Sequence, residues 1–268
     1  MAGTEAGGQR VALITGGAGA IGLASARRLA RAGLVPVLAD RDAAALDAAV
    51  ATLRAETGLP VLGILADLAD RAAPLEVMER IDAAFGRLDC LVNNAGLSKA
   101  RRIGEVALAD WDAVMAINLT APMLLAQESL RFWRRQREGS IVNIASRVWV
   151  SGSGPAYTAS KAGLVGLTRS LAVQLGPLGV TVNAVAPSYL STGFNFPGQD
   201  AARRAADEEH IRLGVLDRLA RPEDVAGAIA FLASEDARFI TGEVIHVCGG
   251  SQLAARPASA AVTEGRAP

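Results

Sequence analysis

Seven short apolar runs, separated mostly by helix-length stretches, constrain the fold of this chain more than any other feature. The runs are continuously apolar rather than alternating with polar residues, which is typical of strands covered by helices on both faces. Strands that alternate with helices along a chain form a parallel, doubly wound sheet. We therefore predict a single α/β domain of the Rossmann type, with about seven parallel strands and helices on both faces. The predicted strands span residues 10–15, 35–40, 60–67, 88–96, 139–146, 179–187 and 243–250, and the predicted helices lie near 20–32, 42–57, 70–86, 108–137, 156–176 and 222–234.

No shift in composition marks a linker, so we expect the domain to span residues 9–252 without a break. Residues 1–8 are predicted to be a flexible N-terminus. Residues 253–268 show no periodic pattern and are predicted to be a disordered tail. The segment 188–213 follows a strand but contains no strand of its own. Such an insertion after the carboxyl end of a strand forms either a lid over the ligand crevice or a surface excursion, and we favour the lid.

Composition narrows the class of protein. Lys+Arg and Asp+Glu number 27 each, so no strong field favours nucleic acid or an acidic membrane surface. The start of the chain has no secretory signal pattern and no apolar run reaches spanning length, so we expect a soluble, cytoplasmic protein. The arginine cluster at 131–137 is interpreted as the solvated end of a helix. The two cysteines and the two histidines are isolated in sequence, which indicates neither a disulfide nor a metal site.

A glycine-rich turn between the first strand and the first helix predicts a dinucleotide site. Gly17, Gly19 and Gly22 fit the pattern GxGxxG, and Asp40 ends the next strand. Glycines let the backbone approach a pyrophosphate, and the carboxylate accepts hydrogen bonds from ribose hydroxyls. Asp40 would repel a 2′-phosphate by roughly 2–4 kcal/mol, which Arg41 would offset in part. We therefore predict NAD as the cofactor.

The stretch "AYTASKAG" places Tyr157 and Lys161 four residues apart, although the chain has only two tyrosines and two lysines. Residues at this spacing lie on one face of a helix. A unit charge about 6 Å from a phenol lowers its pKa by roughly two units at an effective dielectric of about 20. The pair therefore predicts a tyrosine that acts as a general acid or base. The alternative is a tyrosine and a lysine on an ordinary helix surface.

These motifs together resemble the short-chain dehydrogenase/reductase family, over about residues 9–252. "TGGAGAIG" is similar to that family's TGxxxGxG, "NNAG" at 93–96 to its motif after strand four, and "YTASK" at 157–161 to its YxxxK. "RPEDVAGAIAFLASEDARFITGEVIHVCGG" is similar to its C-terminal segment. The sequence departs from the family pattern at Ala20, at Ser188 and at Cys248, and Ser146 and Tyr157 are only eleven residues apart.

The resemblance implies a role for each site residue. Tyr157 would be the acid or base, Ser146 would hold the reacting oxygen, Lys161 would orient the ribose, and Asn118 would anchor a proton-relay water. The implied cofactor-binding residues are Gly16, Gly19, Ile21, Gly22, Asp40, Arg41, Asp67, Leu68, Asn94, Gly96, Tyr157, Lys161, Pro187, Leu190 and Thr192. The candidate substrate-binding residues are Ser98, Ser146, Arg147, Trp149, Tyr157 and Tyr189, with Phe194, Phe196 and His210 as further lining. Arg147 either receives a carboxylate or a polyol, or forms a surface salt bridge.

The function we expect is the NAD(H)-dependent interconversion of a secondary alcohol (a polyol, sugar or other hydroxy compound) and its ketone. One alternative is a 3-oxoacyl-carrier-protein reductase that uses NADPH, and Asp40 argues against it. Another is an inactive dinucleotide-binding sensor or scaffold, although such a protein would be expected to lose Tyr157, Lys161 or Ser146. The resemblance also implies a homotetramer, built on the predicted helices 108–137 and 156–176, with a small-molecule substrate and neither nucleic acid nor membrane as a partner.

Overall fold

The structure of the chain is a computed structural model, which describes residues 8–99, 101–192 and 200–253. Almost all of the predicted flexible N-terminus at 1–8 and of the predicted tail at 253–268 lies outside these residues. Phe194 and Phe196 also lie outside them.

A parallel sheet of seven strands forms the centre of the domain, in the order β3-β2-β1-β4-β5-β6-β7. The chain enters the sheet in the middle at β1, runs to one edge at β3, and returns to the middle at β4. The direction of winding therefore reverses between β1 and β4, where doubly wound sheets bind ligands at the carboxyl ends of the strands. The strands are β1 (Arg10–Thr15), β2 (Leu34–Asp40), β3 (Leu62–Leu65), β4 (Cys90–Asn93), β5 (Gly139–Ile144), β6 (Val180–Pro187) and β7 (Val244–Val247).

Helices cover both faces of this sheet, as the sequence predicted. Val11 and Leu13 of β1 pack into the core that α3, α5 and α7 share, whereas Ala12 and Ile14 pack into the core against α1, α2 and α9. Because successive side chains of a strand point to opposite faces, a strand buried on both faces must be apolar throughout. The helices are α1 (Ala20–Arg31), α2 (Ala43–Thr57), α3 (Ala73–Phe85), α4 (Leu108–Met115), α5 (Ala121–Gln136), α6 (Val148–Ser151), α7 (Pro155–Leu175), α8 (Asp200–Leu213) and α9 (Pro222–Leu232).

Several predicted boundaries were wrong at the carboxyl end of the sheet. The predicted strands 60–67, 88–96 and 243–250 are four residues long in the structure, and the strand predicted to reach 146 ends at Ile144. The residues that follow these shorter strands leave the sheet and build the loops of the candidate site. Periodicity does not locate this change, because small residues that fit a strand, such as Ala66, Ala145 and Cys248, still follow the last paired residues.

The single helix predicted over 108–137 is two helices, α4 and α5, joined by a π-helical turn at Ala116–Thr120. π turns of this kind occur frequently at functional sites, because one extra residue per turn disturbs the regular helix. Asn118 lies within this turn. A further short helix, α6, was not predicted, and it lies in the tight segment between Ser146 and Tyr157.

The segment 188–213 contains α8 and no strand among its described residues. The side chain of Asp207 on α8 accepts hydrogen bonds from the hydroxyls of Tyr189 (2.9 Å) and Ser191 (2.8 Å). These bonds attach α8 to the chain just after β6. Its action as a lid stays a prediction.

Candidate active site

The glycine-rich turn presents bare backbone at the first turn of α1. Gly16 has φ of +60°, a conformation that side chains rarely adopt, and a Cβ on Gly22 would overlap the carbonyl oxygen of Gly16. The first turn of α1 has no acidic residue and no side-chain cap, so its backbone N–H groups remain available. An anion at this place would meet both the free N–H groups and the positive end of the helix dipole.

Thr15 and Asn94 join this turn to the end of β4. The hydroxyl of Thr15 accepts from the backbone N–H of Asn94 and of Ala95, both at 3.0 Å. The amide of Asn94 donates back to the carbonyls of Thr15 (2.8 Å) and Gly16 (3.0 Å). The two strands at the reversal point are therefore held together where the predicted crevice opens. The sequence argument gave Asn94 a place along the cofactor but assigned no role to Thr15.

Asp40 lies beside the same turn. Its carboxylate accepts from the backbone N–H of Ala18 (3.0 Å) and of Asp42 (3.2 Å), and its side chain is half-buried. Arg41 and Asp67 are exposed at the carboxyl ends of the strands, where Asp40 also lies, at the end of β2. The remaining predicted cofactor residues also lie at the carboxyl ends of the strands: Ile21 in the first turn of α1, Leu68 beyond β3, Gly96 beyond β4, Pro187 at the end of β6, and Leu190 and Thr192 just after it.

Lys161 is buried within α7, with 3% of its surface exposed. Its ammonium donates to the carbonyl of Ile144 at 2.6 Å and lies 5.7 Å from the ring centroid of Tyr157. A Cβ on Gly96 would come within 3.8 Å of Nζ, so the residue after β4 is part of the wall around the ammonium. Burial lowers the pKa of Lys161 to about 8.

The phenol of Tyr157 interacts with the hydroxyl of Ser146, which lies beside it. Burial raises the pKa of Tyr157, and the hydrogen bond with Ser146 lowers it by less. The sequence argument predicted a lowered pKa, and for the groups of this chain alone that prediction was wrong. It counted the attraction of the lysine charge for a phenolate but not the cost of burying that phenolate.

Asn118 ties the loop after β4 to α7. Its side-chain oxygen accepts from the N–H of Leu97 (2.8 Å), and its amide donates to the carbonyl of Leu97 (2.9 Å) and to the hydroxyl of Ser160 (3.0 Å). Ser160 in turn donates to the carbonyl of Tyr157 at 2.8 Å. Asn118 therefore positions the segment that carries Tyr157. Sequence reasoning missed Ser160, although its place directly before Lys161 was the available signal.

Two of the predicted substrate residues contact histidines on other elements, His246 of β7 and His210 of α8. Trp149 donates from Nε1 to Nε2 of His246 on β7 (3.1 Å), and the two rings stack. Tyr189 stacks on His210 of α8 with 4.1 Å between ring centroids. Arg147 lines a cavity of about 260 Å³ together with Tyr189, His210 and His246. Ser98 is half-buried in the loop after β4 and is not one of the residues that line this cavity.

Metal-binding clusters and membrane-spanning helices are both absent from the described residues. No cluster of three or more His, Cys, Asp or Glu side chains has the geometry to hold a metal ion in residues 8–99, 101–192 and 200–253. Within the same ranges, no helix combines the length and the apolar character that a membrane span requires.

The chain belongs to the short-chain dehydrogenase/reductase family, whose members are oxidoreductases that bind nicotinamide dinucleotides. Residues 16–252 match the sequence family described as "Enoyl-(Acyl carrier protein) reductase". The structure is also similar to a crystal structure of levodione reductase, with a TM-score of 0.85 and 34% identity over 91% of this chain and 98% of that one. The match confirms the fold class and the family that the sequence indicated.

Relatives with known activities cover nearly the whole chain. The (2S)-[(R)-hydroxy(phenyl)methyl]succinyl-CoA dehydrogenase subunit BbsD of Thauera aromatica is 40% identical over 91% of this chain and 97% of its own length. The cis-4-hydroxycyclohexanecarboxylate dehydrogenase of Sinomonas cyclohexanicum is 40% identical over 92% and 98%. The 3-oxoacyl-[acyl-carrier-protein] reductase FabG of Aquifex aeolicus is 38% identical over 90% and 96%.

Proposed function

We propose that this chain is an NAD(H)-dependent enzyme that interconverts a secondary alcohol and its ketone. The observation that carries the proposal is the group formed by the buried Lys161 and the half-buried Ser146 and Tyr157. It stands at the carboxyl end of the sheet, close to the point at which the strand order reverses. Burying the ammonium of Lys161 destabilises the fold, and a protein that only binds a dinucleotide would not need a buried lysine beside a tyrosine.

The residues of the crevice fit a nicotinamide dinucleotide. The bare N-terminal turn of α1 suits a pyrophosphate, and the carboxylate of Asp40 suits the adenosine ribose. Lys161 would donate to the second ribose, and the segment Pro187–Thr192 would meet the nicotinamide. When bound, the cofactor supplies the acceptor or donor of the hydride.

The side chains of the chain handle the proton. Ser146 donates a hydrogen bond to the reacting oxygen and holds it beside the phenol of Tyr157. In alcohol oxidation the phenolate takes the hydroxyl proton, and in ketone reduction the phenol returns it. The ammonium of Lys161 favours the phenolate form, because a nearby positive charge in a buried site stabilises a negative one.

We infer that NAD is preferred over NADP. The Asp40 carboxylate already accepts two backbone N–H groups, which fixes it beside the glycine-rich turn. A 2′-phosphate would meet this fixed negative charge at close range. We expect kcat/KM to favour NAD by at least about tenfold, which corresponds to roughly 1.4 kcal/mol.

A substrate screen tests the proposal directly. The purified chain is offered NAD or NADP with polyols, sugars, simple secondary alcohols and cyclic hydroxy acids such as 4-hydroxycyclohexanecarboxylate, and NADH or NADPH formation is recorded. Reduction of a 3-oxoacyl thioester with NADPH is measured in parallel, since the relatives include a reductase of that class. Activity only in that parallel assay would overturn the proposal in favour of the reductase.

We also propose a homotetramer in which α5 and α7 pair with other copies. The exposed positions of α7 include the small or apolar residues Ala162, Gly166 and Val173, the last with 79% of its surface exposed. Gly163 and Ala172 of the same helix instead pack against Leu119 and near Gly242 of the same chain. A monomeric mass by light scattering at micromolar concentration would refute the tetramer.

A further inference from the structure

We propose that Arg147 recognises a carboxylate of the substrate, so that the enzyme acts on hydroxy acids and oxo acids in preference to neutral alcohols. The inference rests on the proposed function, because it assigns the substrate class of the same site. The sequence alone left Arg147 open between a substrate contact and a surface salt bridge.

The backbone of Arg147 is fixed next to the catalytic serine. Its N–H donates to the carbonyl of Pro187 at 2.9 Å, which holds the residue across the carboxyl ends of β5 and β6. Its guanidinium is half-buried and reaches the carbonyl of Ser251 through Nη1 at 3.3 Å. The side chain thus belongs to the lining of the cavity, together with Ser188 and Tyr189 just after β6.

The guanidinium of Arg147 has no acidic partner among the residues the structure describes, although ten ion pairs form among them. A single hydrogen bond at 3.3 Å engages one of its five N–H donors. The other N–H donors of the guanidinium are therefore available to a ligand. The surface salt bridge allowed by the sequence is therefore not formed in the described part of the chain.

The other charges of the cavity cancel. Arg218 and Asp224 both line it, and they pair through two hydrogen bonds of 2.6 and 2.9 Å. Nε2 of His246 accepts the Trp149 N–H, so this nitrogen carries no proton. Arg147 therefore supplies the unpaired positive charge of this lining. The planar guanidinium fork matches a carboxylate through two parallel hydrogen bonds.

The cavity volume favours a small acid. At about 260 Å³ it lies just below the 300–1,000 Å³ typical of sites for drug-sized ligands. Its lining includes Leu213, Leu216 and Val247, which would contact the hydrocarbon part of the molecule. A single ring or short chain that carries both a carbinol and a carboxylate fits this description.

Matched pairs of acid and neutral ester separate charge recognition from other effects. The probes are 4-hydroxycyclohexanecarboxylate and 3-hydroxybutyrate, each with its methyl ester, assayed with NAD at pH 8, where histidine side chains are ordinarily neutral. We expect the wild-type chain to prefer the acid of at least one pair. In Arg147→Gln the acid-to-ester ratio of kcat/KM should fall by about 10- to 100-fold, as expected for a charge-assisted hydrogen bond. Arg147→Lys should recover part of the ratio, because it keeps the charge but not the fork.

A charge-neutral double variant is the matched control. Arg218→Gln with Asp224→Asn removes an arginine from the same lining without changing the net charge, and asparagine can still cap α9. Its acid-to-ester ratio should stay within about threefold of wild type. An equal loss in the control would show that general disturbance of the cavity, and not Arg147, sets the preference.

A binding measurement keeps this inference separate from the proposed function. Calorimetry with the unreactive pair cyclohexanecarboxylate and cyclohexanecarboxamide, in the presence of NADH, reports carboxylate recognition without turnover. Tighter binding of the acid that is lost in Arg147→Gln supports the inference even if every oxidation assay fails. Oxidation of neutral alcohols with no Arg147-dependent preference for either acid would overturn it while leaving the proposed function intact.

Discussion

The polar groups on the catalytic side of the site, around Tyr157, and on the cavity side, around Arg147, differ in how completely the protein satisfies them. On the catalytic side, Lys161, Asn118 and Ser160 are buried and bonded to backbone carbonyls or to one another. On the cavity side, Arg147 is half-buried and has one long hydrogen bond. The side chains around the proton-transferring tyrosine are thus held in place by hydrogen bonds within the protein. The guanidinium of Arg147, which we propose selects the substrate, keeps N–H donors available for a ligand.

The two sides also differ in how far apart their partners lie in the sequence. Lys161 bonds to a carbonyl 17 residues away and Asn118 to a serine 42 residues away. Trp149 and Arg147 reach partners 97 and 104 residues away. The catalytic side is thus built from neighbouring β-α units, and the cavity side is closed by the distant C-terminal segment. Four variants test this contrast, in order of decreasing effect.

Tyr157→Phe should produce the largest loss. The change removes only the hydroxyl that pairs with Ser146, so turnover should fall by about 10² or more while the fold and cofactor binding survive. Steady-state kinetics, circular dichroism and NADH fluorescence measure the three quantities. The other tyrosine gives a comparison: Tyr189→Phe loses its bond to Asp207 and should alter KM more than kcat. Near-normal turnover in a folded, NADH-binding Tyr157→Phe would end the catalytic assignment.

Lys161→Met should lower turnover by a factor similar to that of Tyr157→Phe. Unlike the activity, the stability of the folded chain at pH 7 should increase. Burial lowers the pKa of Lys161 from 10.5 to about 8, so the unfolded chain binds this proton more tightly than the folded chain. The resulting penalty is fully present below pH 8 and disappears as the pH rises from about 8 to 10.5. It is on the order of 3 kcal/mol, and the lost bond to Ile144 offsets about 1 kcal/mol.

Thermal unfolding across pH 7–10 checks this prediction. Wild type should gain stability with rising pH across the upper part of this range, and Lys161→Met should show a flatter profile with a higher Tm at pH 7. A profile as steep as that of wild type would mean that the lysine is not the group responsible.

Asp40→Ala should have an effect of intermediate size, and it should change the preference between NAD and NADP. Removing the carboxylate should narrow the NAD-to-NADP ratio of kcat/KM by about tenfold. Asp42→Ala is the matched control, because Asp42 caps α2 by accepting from the N–H of Ala45 at 3.0 Å. The control should lose helix stability and keep the ratio. Equal use of both cofactors by the wild-type chain would contradict the role of Asp40.

Trp149→Phe should have the smallest effect, a change of a few fold in KM. The variant keeps an aromatic ring beside His246 but removes the N–H that Nε2 accepts. Burial lowers the pKa of His246, and the lost hydrogen bond favoured its neutral form, so this pKa should rise in the variant. NMR titration of the ring measures it.

The pH dependence of stability gives a second measurement on the same variant. A histidine whose pKa is lowered in the folded state reduces stability as the pH falls below about 6.5. This acid-side loss should therefore be shallower in Trp149→Phe than in wild type. A lower His246 pKa in the variant would show that the Trp149 bond does not hold the neutral form.

The sequence by itself determined the architecture and the identity of the catalytic side chains. Continuous apolar runs separated by helices specify a parallel sheet, because strands buried on both faces need apolar residues at every position. The glycine-rich turn, Asp40 and the Tyr157–Lys161 spacing are local patterns, and local patterns can be recognised without knowing which segments meet. Strand ends and the break at Asn118 were not predictable in this way, because the local sequence at these places fits the regular element as well as the loop or the π turn.

Only the tertiary structure decided the environment of these groups. The sequence gives the distance from Lys161 to Tyr157 along a helix, but burial by other segments set the direction of both pKa shifts. The state of Arg147 likewise depends on Ser251 and on the pairing of Arg218 with Asp224, which the fold brings to one cavity. The energy of a charge depends on the solvent and partners around it in space. These are properties of the folded chain, and no spacing along the sequence contains them.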